Sequence, residues 1–326
     1  MNIRDYYMDT SKSFSYPNLS QSPGLSYGYD WRRIYPAQME TQSLGRLQVN
    51  CVTREGFRPV PNATVRIAYT ADPTSTAEEV TTNDLGRTEE IELATPPVEY
   101  SLDPAVTEQP YSQYTVNVTA PGFQSIEVDG AQLLGGVTAL QQVEMQPAPE
   151  STQEAQVFVI PPHTLFGDFP PKIAEAEIKP TAETGEIVLA SVVVPEFVIV
   201  HDGPPTDTSA ANYYVRYRDY IKNVASSEIY ATWPDETITA NVLAIMSFTL
   251  NRVFTEWYRN QGFNFTITSS TAFDHKWMRG RNIFTNIGLA VDQIFNNFLS
   301  RPNVRQPILT QYCDGRNVTC PGWMTV

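Results

Sequence analysis

The feature that most constrains this chain is a change of hydrophobic period. Between Leu44 and Gln146 apolar residues recur at every second position: Leu47, Val49 and Cys51, then Val65, Ile67 and Tyr69, then Tyr114, Val116 and Val118, with Val143 and Met145 last. Period two with one polar face predicts half-buried strands. Turn residues punctuate them at Pro61-Asn62, Asn83-Asp84-Leu85-Gly86 and Pro121-Gly122. Many short strands without a helical stretch predict an antiparallel β-sandwich. From Pro195 onward the period becomes helical. Tyr220, Ile221, Val224, Ala225 and Ile229 share one face, and Ile238 to Trp257 carries apolar residues three and four apart. Trp233-Pro234-Asp235-Glu236 reads as the start of that second helix, with carboxylates where the helix dipole favours them. A third helix is expected over 287–299. The fold class expected is therefore multidomain α+β.

Four segments follow. Residues 1–43, rich in Tyr, Ser and Pro without a hydrophobic period, read as an extended arm. Residues 44–146 form the sandwich, an accessory or pro-domain. Residues 147–194 hold Pro161-Pro162, Pro170-Pro171 and Pro180, which stiffen a chain, and read as a linker with crossover strands open to proteases. Residues 195–326 form a mixed α/β domain.

Charge and motifs remove several function classes. Lys and Arg total 22 against 36 Asp and Glu, a net charge of −14, so a polyanion such as nucleic acid is repelled overall. No run approaches the roughly 20 apolar residues of a membrane span. The N-terminus lacks the apolar core of a secretory signal. There is no Gly-x-Gly-x-x-Gly, no P-loop and no Gly-x-Ser-x-Gly, so neither a nucleotide cofactor nor a serine nucleophile is indicated. Three cysteines are too few for a disulfide scaffold. Cys51 alternates with Leu47 and Val49 and reads as a core thiol, whereas Cys313 and Cys320 are spaced for a disulfide across a turn. With His275 alone they fall short of a zinc set.

Carboxylates remain as the carriers of chemistry. Glu228 closes an amphipathic helix among small and apolar neighbours, where partial desolvation would raise its pKa toward the range of a general acid. The competing structural role is to bond backbone N–H groups at the start of the next helix. Asp219 and Asp274 are possible helpers, expected as solvated carboxylates. Tyr220 and Tyr230 are candidates to stack on or bond to a sugar, and Trp233 to line a groove or pack at the helix entry.

Two resemblances sharpen these readings. The run GRLQVNCVTREGFRPVPNATVRIAYT, with YTVNVTAPGFQSIEV, resembles the carboxypeptidase-regulatory-like, transthyretin-like sandwich and implies a module without catalytic residues. The run DYIKNVASSEIYATWPDETITANVLAIMSFTLNRV resembles the SpoIID/LytB (stage II sporulation protein D) signature, with its Ser-Glu on Ser227-Glu228 and its Trp-Pro on Trp233-Pro234. The signature's Met-Pro is replaced here by Ile229-Tyr230. The order of regions resembles spore cortex-lytic enzymes. That resemblance implies a lytic transglycosylase acting on peptidoglycan glycan strands, with Glu228 catalytic and Ser227, Tyr220, Tyr230 and Trp233 as substrate contacts. It implies no cofactor, residence at the spore or cell wall, and an N-terminal region that masks or positions the enzyme until a protease cuts the linker. The alternative is a non-catalytic wall-binding or amidase-stimulating protein, the role of LytB-type relatives.

Overall fold

The structure is a computed structural model, and it describes residues 43–148, 154–176, 188–313 and 324–325. The expected N-terminal arm lies outside the described residues, apart from Ser43.

The first half is a two-layered β-structure. One sheet runs in the order β12-β7-β1-β4, from β1 (Ser43–Thr53), β4 (Ile91–Thr95), β7 (Thr138–Met145) and β12 (Ile283–Phe284). The other runs β3-β2-β5-β6-β8, from β2 (Thr64–Tyr69), β3 (Asp72–Thr81), β5 (Ser112–Thr119), β6 (Ile126–Leu133) and β8 (Gln156–Val159). The alternating residues do what their period predicts: Leu47, Val49, Cys51, Val65, Ile67, Val116 and Val118 are fully buried. Tyr114 bridges the layers by donating its hydroxyl to the Ala94 carbonyl at 2.7 Å. The turn at Asn83 is built by that side chain, whose Oδ1 accepts from the N–H of Leu85 and of Arg87. Gly86 follows at φ +73°, where a Cβ would meet the Cys51 carbonyl oxygen at 2.4 Å, so only glycine fits.

The sheets are mixed, which corrects the antiparallel expectation. β1 lies parallel to β7 and β6 parallel to β8. Alternation reports which face of a strand is buried and carries no information on the direction of its neighbour.

The second half contains a three-stranded sheet, β10-β9-β11, from β9 (Phe197–His201), β10 (Asn212–Arg216) and β11 (Ile267–Thr268). Three helices accompany it: α1 (Tyr217–Glu228), α2 (Asp235–Phe254) and α3 (Thr285–Ile294). α1 buries Tyr217, Tyr220, Ile221, Val224 and Ala225, the face its spacing predicts. Among the described residues α2 is the one helix apolar and long enough to cross a membrane, and 72% of its apolar window is buried inside the fold. α3 stops at Ile294, short of the expected Leu299. The residues that follow include Asn296-Asn297, poor helix formers, and the Asn297 N–H turns back to the Ile294 carbonyl at 2.7 Å. A short parallel pair joins β13 (Tyr312–Cys313) to β14 (Met324–Thr325).

The two halves share backbone pairing. β12, from the second half, adds to the first-half sheet with Ile283 opposite Leu140 and Phe284 opposite Ala139. Asn282 and Gln132 exchange backbone-directed bonds at 3.0 and 2.8 Å, both buried. Trp233 donates its indole N–H to the Ser101 carbonyl at 2.9 Å.

The described part of the segment expected as a linker is also packed. β8 extends the sandwich sheet, Ile160 is buried, and the Ile173 N–H donates to the Ala272 carbonyl at 2.7 Å. A proline-rich composition stiffens a chain whether it spans solvent or lies against a wall, so composition alone does not separate the two.

Candidate active site

α1 delivers Glu228 at its last turn, after which Ile229 takes extended backbone and the chain leaves the helix. Because Val224 and Ala225 already face the core, the residue at i+4 and i+3 from them faces it too. Glu228 is 6% exposed. Its Oε1 accepts the Lys276 backbone N–H at 2.5 Å, and its Oε2 accepts the Tyr312 hydroxyl in a short bond. Burial pushes its pKa up, against the opposing pull of Lys172, of the Tyr312 hydroxyl and of the Lys276 N–H.

The carboxyl opens on a cavity of about 310 Å³, at the low end of the roughly 300–1,000 Å³ of ligand pockets. Its walls are the strip Thr164–Lys172 together with Thr271, Asp274, Tyr312 and Cys313. The strip is sewn down: Thr164 donates its N–H and hydroxyl to the Ser227 carbonyl, and Glu175 grips Arg252 with both oxygens, at 2.9 and 2.5 Å. Lys172 places its ammonium 4.6 Å from the Phe248 ring centre and 5.7 Å from that of Tyr312, and donates to the Asp274 carbonyl. Burial lowers its pKa. Tyr312 is held flat against His275, with ring centres 5.7 Å apart and planes 16° apart. Burial keeps the His275 imidazole neutral, with its pKa well below the ordinary value.

Of the residues expected to touch substrate, the structure brings only Glu228 to the cavity. Tyr220 and Ser227 are fully buried behind it; Ser227 spends its hydroxyl on the Asn223 carbonyl and Tyr220 meets the His275 ring nitrogen at 3.4 Å. Tyr230 is buried against His163, ring centres 4.5 Å apart, and Trp233 packs toward Ser101. None of these four lines the cavity wall: Tyr220, Tyr230 and Ser227 are buried, and Trp233 takes the second of the two roles its position suggests, packing at the helix entry. A helical face that carries an acid inward also carries its aromatic neighbours into the core.

Asp274 is likewise not solvated. It is 1% exposed, and its oxygens accept Arg252 Nε at 2.7 Å, the Tyr258 hydroxyl at 2.6 Å, and the Thr268 N–H and hydroxyl at 2.9 and 2.7 Å. A carboxylate so fully engaged braces the site. Asp219 is exposed on α1, away from the cavity lining. Cys313 is disulfide-bonded; Cys320, its expected partner, lies outside the described residues. Cys51 is a free, buried thiol that burial pushes up to about 12.

Sequence reasoning missed Lys172 and Tyr312. Tyr312 sits beside Cys313, which the sequence singles out for a disulfide, so the position was marked but the hydroxyl was not. Lys172 follows a proline pair in a segment without periodicity, and nothing in its neighbourhood singles it out.

Compared with known proteins, the chain matches no family model and no curated protein. Among solved structures it is similar over 32% of its length to the Bacillus anthracis TIE protein (17% identity, TM-score 0.22, 17% of that chain). It is similar over 36% to GBS52, the minor pilin of Streptococcus agalactiae (13% identity, TM-score 0.24, 50% of that chain). Over 32% it is similar to Klebsiella pneumoniae 5-hydroxyisourate hydrolase (13% identity, TM-score 0.20, 92% of that chain). The chain thus spans half or less of the first two proteins it resembles. Likenesses this partial say nothing of activity.

Proposed function

We propose that this protein is a peptidoglycan lytic transglycosylase that cleaves the bond between N-acetylmuramic acid and N-acetylglucosamine and leaves 1,6-anhydromuramoyl ends. The observation that carries this reading is a sheltered carboxyl, Glu228, whose two oxygens face a backbone N–H and a hydroxyl and whose side chain opens on a walled cavity. The SpoIID/LytB resemblance at Ser227-Glu228 and Trp233-Pro234 supports it.

Protonated Glu228 gives its proton to the glycosidic oxygen as the bond from that oxygen to muramoyl C1 breaks. The carboxylate left behind takes the proton of the muramoyl 6-hydroxyl while O6 bonds to C1. The nucleophile is the substrate's own hydroxyl, so one carboxyl serves as acid and then as base, where ordinary glycosidases use two. The surroundings of Glu228 suit both halves. Desolvation favours the neutral acid, and the Tyr312 hydroxyl with the Lys276 N–H receives the anion once it forms. Asp274 is committed to Arg252, and among the described residues the exposed Asp168 is the other carboxylate in the lining. The site of action implied is the spore or cell wall.

For the N-terminal half, shared strand pairing favours positioning over masking. Removing it would strip β12 of its partner and, with the following strip, unwall the acid.

The test is mass spectrometry of glycan strands stripped of peptides and incubated with the protein. Anhydromuramoyl ends are expected. Hydrated reducing ends would indicate a hydrolase with a second carboxylate such as Asp168, and intact strands retaining bound protein would indicate the wall-binding alternative; either result overturns the proposal.

A further inference from the structure

The seam between the two halves holds another buried cation, and this one has no acid beside it. Arg281 lies just before β12, where the bonds between Asn282 and Gln132 fix the chain, and it is 4% exposed. It does not line the Glu228 cavity. Nη2 donates to the Ser226 carbonyl in the last turn of α1, while Nε and Nη1 are buried without a partner among the described residues. The Phe284 ring centre is 5.5 Å from the guanidinium. Tyr111 and His163 stand near it, joined by a 3.0 Å bond from the His163 N–H to the Tyr111 hydroxyl, and both side chains are neutral. Burial pushes the Tyr111 hydroxyl up to about 12, against the His163 N–H and the charge of Arg281. Burial, together with that charge, holds the His163 imidazole well below its ordinary value. No carboxylate among the described residues acts on Arg281: burial pulls its pKa down to about 9, opposed only by Tyr111. The group is still a cation at neutral pH.

Two features offset part of that charge. The C-terminus of α1 presents roughly half a negative charge, and the face of Phe284 attracts a cation. Neither meets the two open nitrogens, and a water molecule that bonded them would leave the rest of the charge unbalanced, which is costly in a buried site. We propose that Arg281 binds a small inorganic monoanion of the halide class, chloride being the common one. One guanidinium balances one negative charge, whereas a dianion such as sulfate would bury an excess. Near-complete burial among the rings of Tyr111, His163 and Phe284 favours a monatomic ion over a polyatomic one. The site braces the last turn of α1 two residues before Glu228, and it stands whether or not the transglycosylase reading does.

The experiment follows thermal unfolding of the full chain while chloride replaces gluconate at constant ionic strength. An ion that binds only the folded chain raises the midpoint with the logarithm of its concentration. A rise of about 2–4 °C per tenfold increase in chloride above its Kd is expected for the wild type. Arg281→Met keeps an apolar stem, drops the charge and is expected to show no chloride-dependent rise. Crystals of the wild type grown in bromide give a second reading that needs no variant: an anomalous peak in contact with the Arg281 guanidinium is expected. A wild-type midpoint indifferent to chloride, a rise that survives in Arg281→Met, or bromide confined to exposed side chains overturns the assignment.

Discussion

Glu228 is held by two donors that differ in kind, and they separate in experiment. The Lys276 N–H is backbone and survives every substitution there but proline, whereas Tyr312→Phe deletes the hydroxyl on Oε2. That hydroxyl favours the anion, so its loss raises the Glu228 pKa further. Tyr312→Phe is expected to move the high-pH limb of the kcat profile upward and to slow turnover by about tenfold or more, since the anion formed after proton transfer loses a donor. An unmoved limb would detach Tyr312 from the acid. The raised pKa also has a sign for stability. Between the ordinary value of 4.5 and the higher folded value, the folded chain binds more protons at Glu228 than the unfolded one. Stability contributed by this group is complete below that window and is lost as pH rises through it. Urea unfolding across the window is expected to show a shallower decline for Glu228→Gln than for the wild type. At this scale the candidate acid was legible in sequence because helical spacing and a short motif both point at position 228. Lys172 was not, because a cation in an irregular strip acquires its role only from what the fold lays against it.

At the scale of elements, α2 and the strip meet through Arg252. This arginine is fully buried and pairs with Asp274 at 2.7 Å and with Glu175 at 2.5 Å. Two carboxylates on one guanidinium offset its desolvation, and removing it leaves both acids without their cation. Arg252→Met is expected to destabilise the fold by about 3–5 kcal/mol in urea unfolding, the usual range for breaking a buried ion pair. A loss under about 1 kcal/mol would show that the network is not bracing the cavity. α1 and α2 were readable from periodicity and from Pro234 with its following carboxylates. β3 was not, because its Asp72–Thr81 stretch is almost wholly exposed and lacks the apolar alternation that marks its neighbours.

For the whole molecule, the two changes of character near residues 147 and 195 suggest separable modules, yet pairing and polar bonds run across them. β12 on β7, Asn282 on Gln132 and Trp233 on Ser101 are long-range contacts between segments far apart in sequence, and no local pattern announces them. A chain beginning at residue 195 is therefore expected to lack a cooperative thermal transition and to be inactive; a folded, more active fragment would restore the masking idea. The most direct test of Glu228 as the acid is the yield of 1,6-anhydromuramoyl ends from stripped strands, compared by mass spectrometry between the wild type and Glu228→Gln melting at a similar temperature. Loss of catalysis by at least about a hundredfold is the predicted result, in line with the removal of a general acid. Anhydro ends formed at the wild-type rate by Glu228→Gln would contradict it.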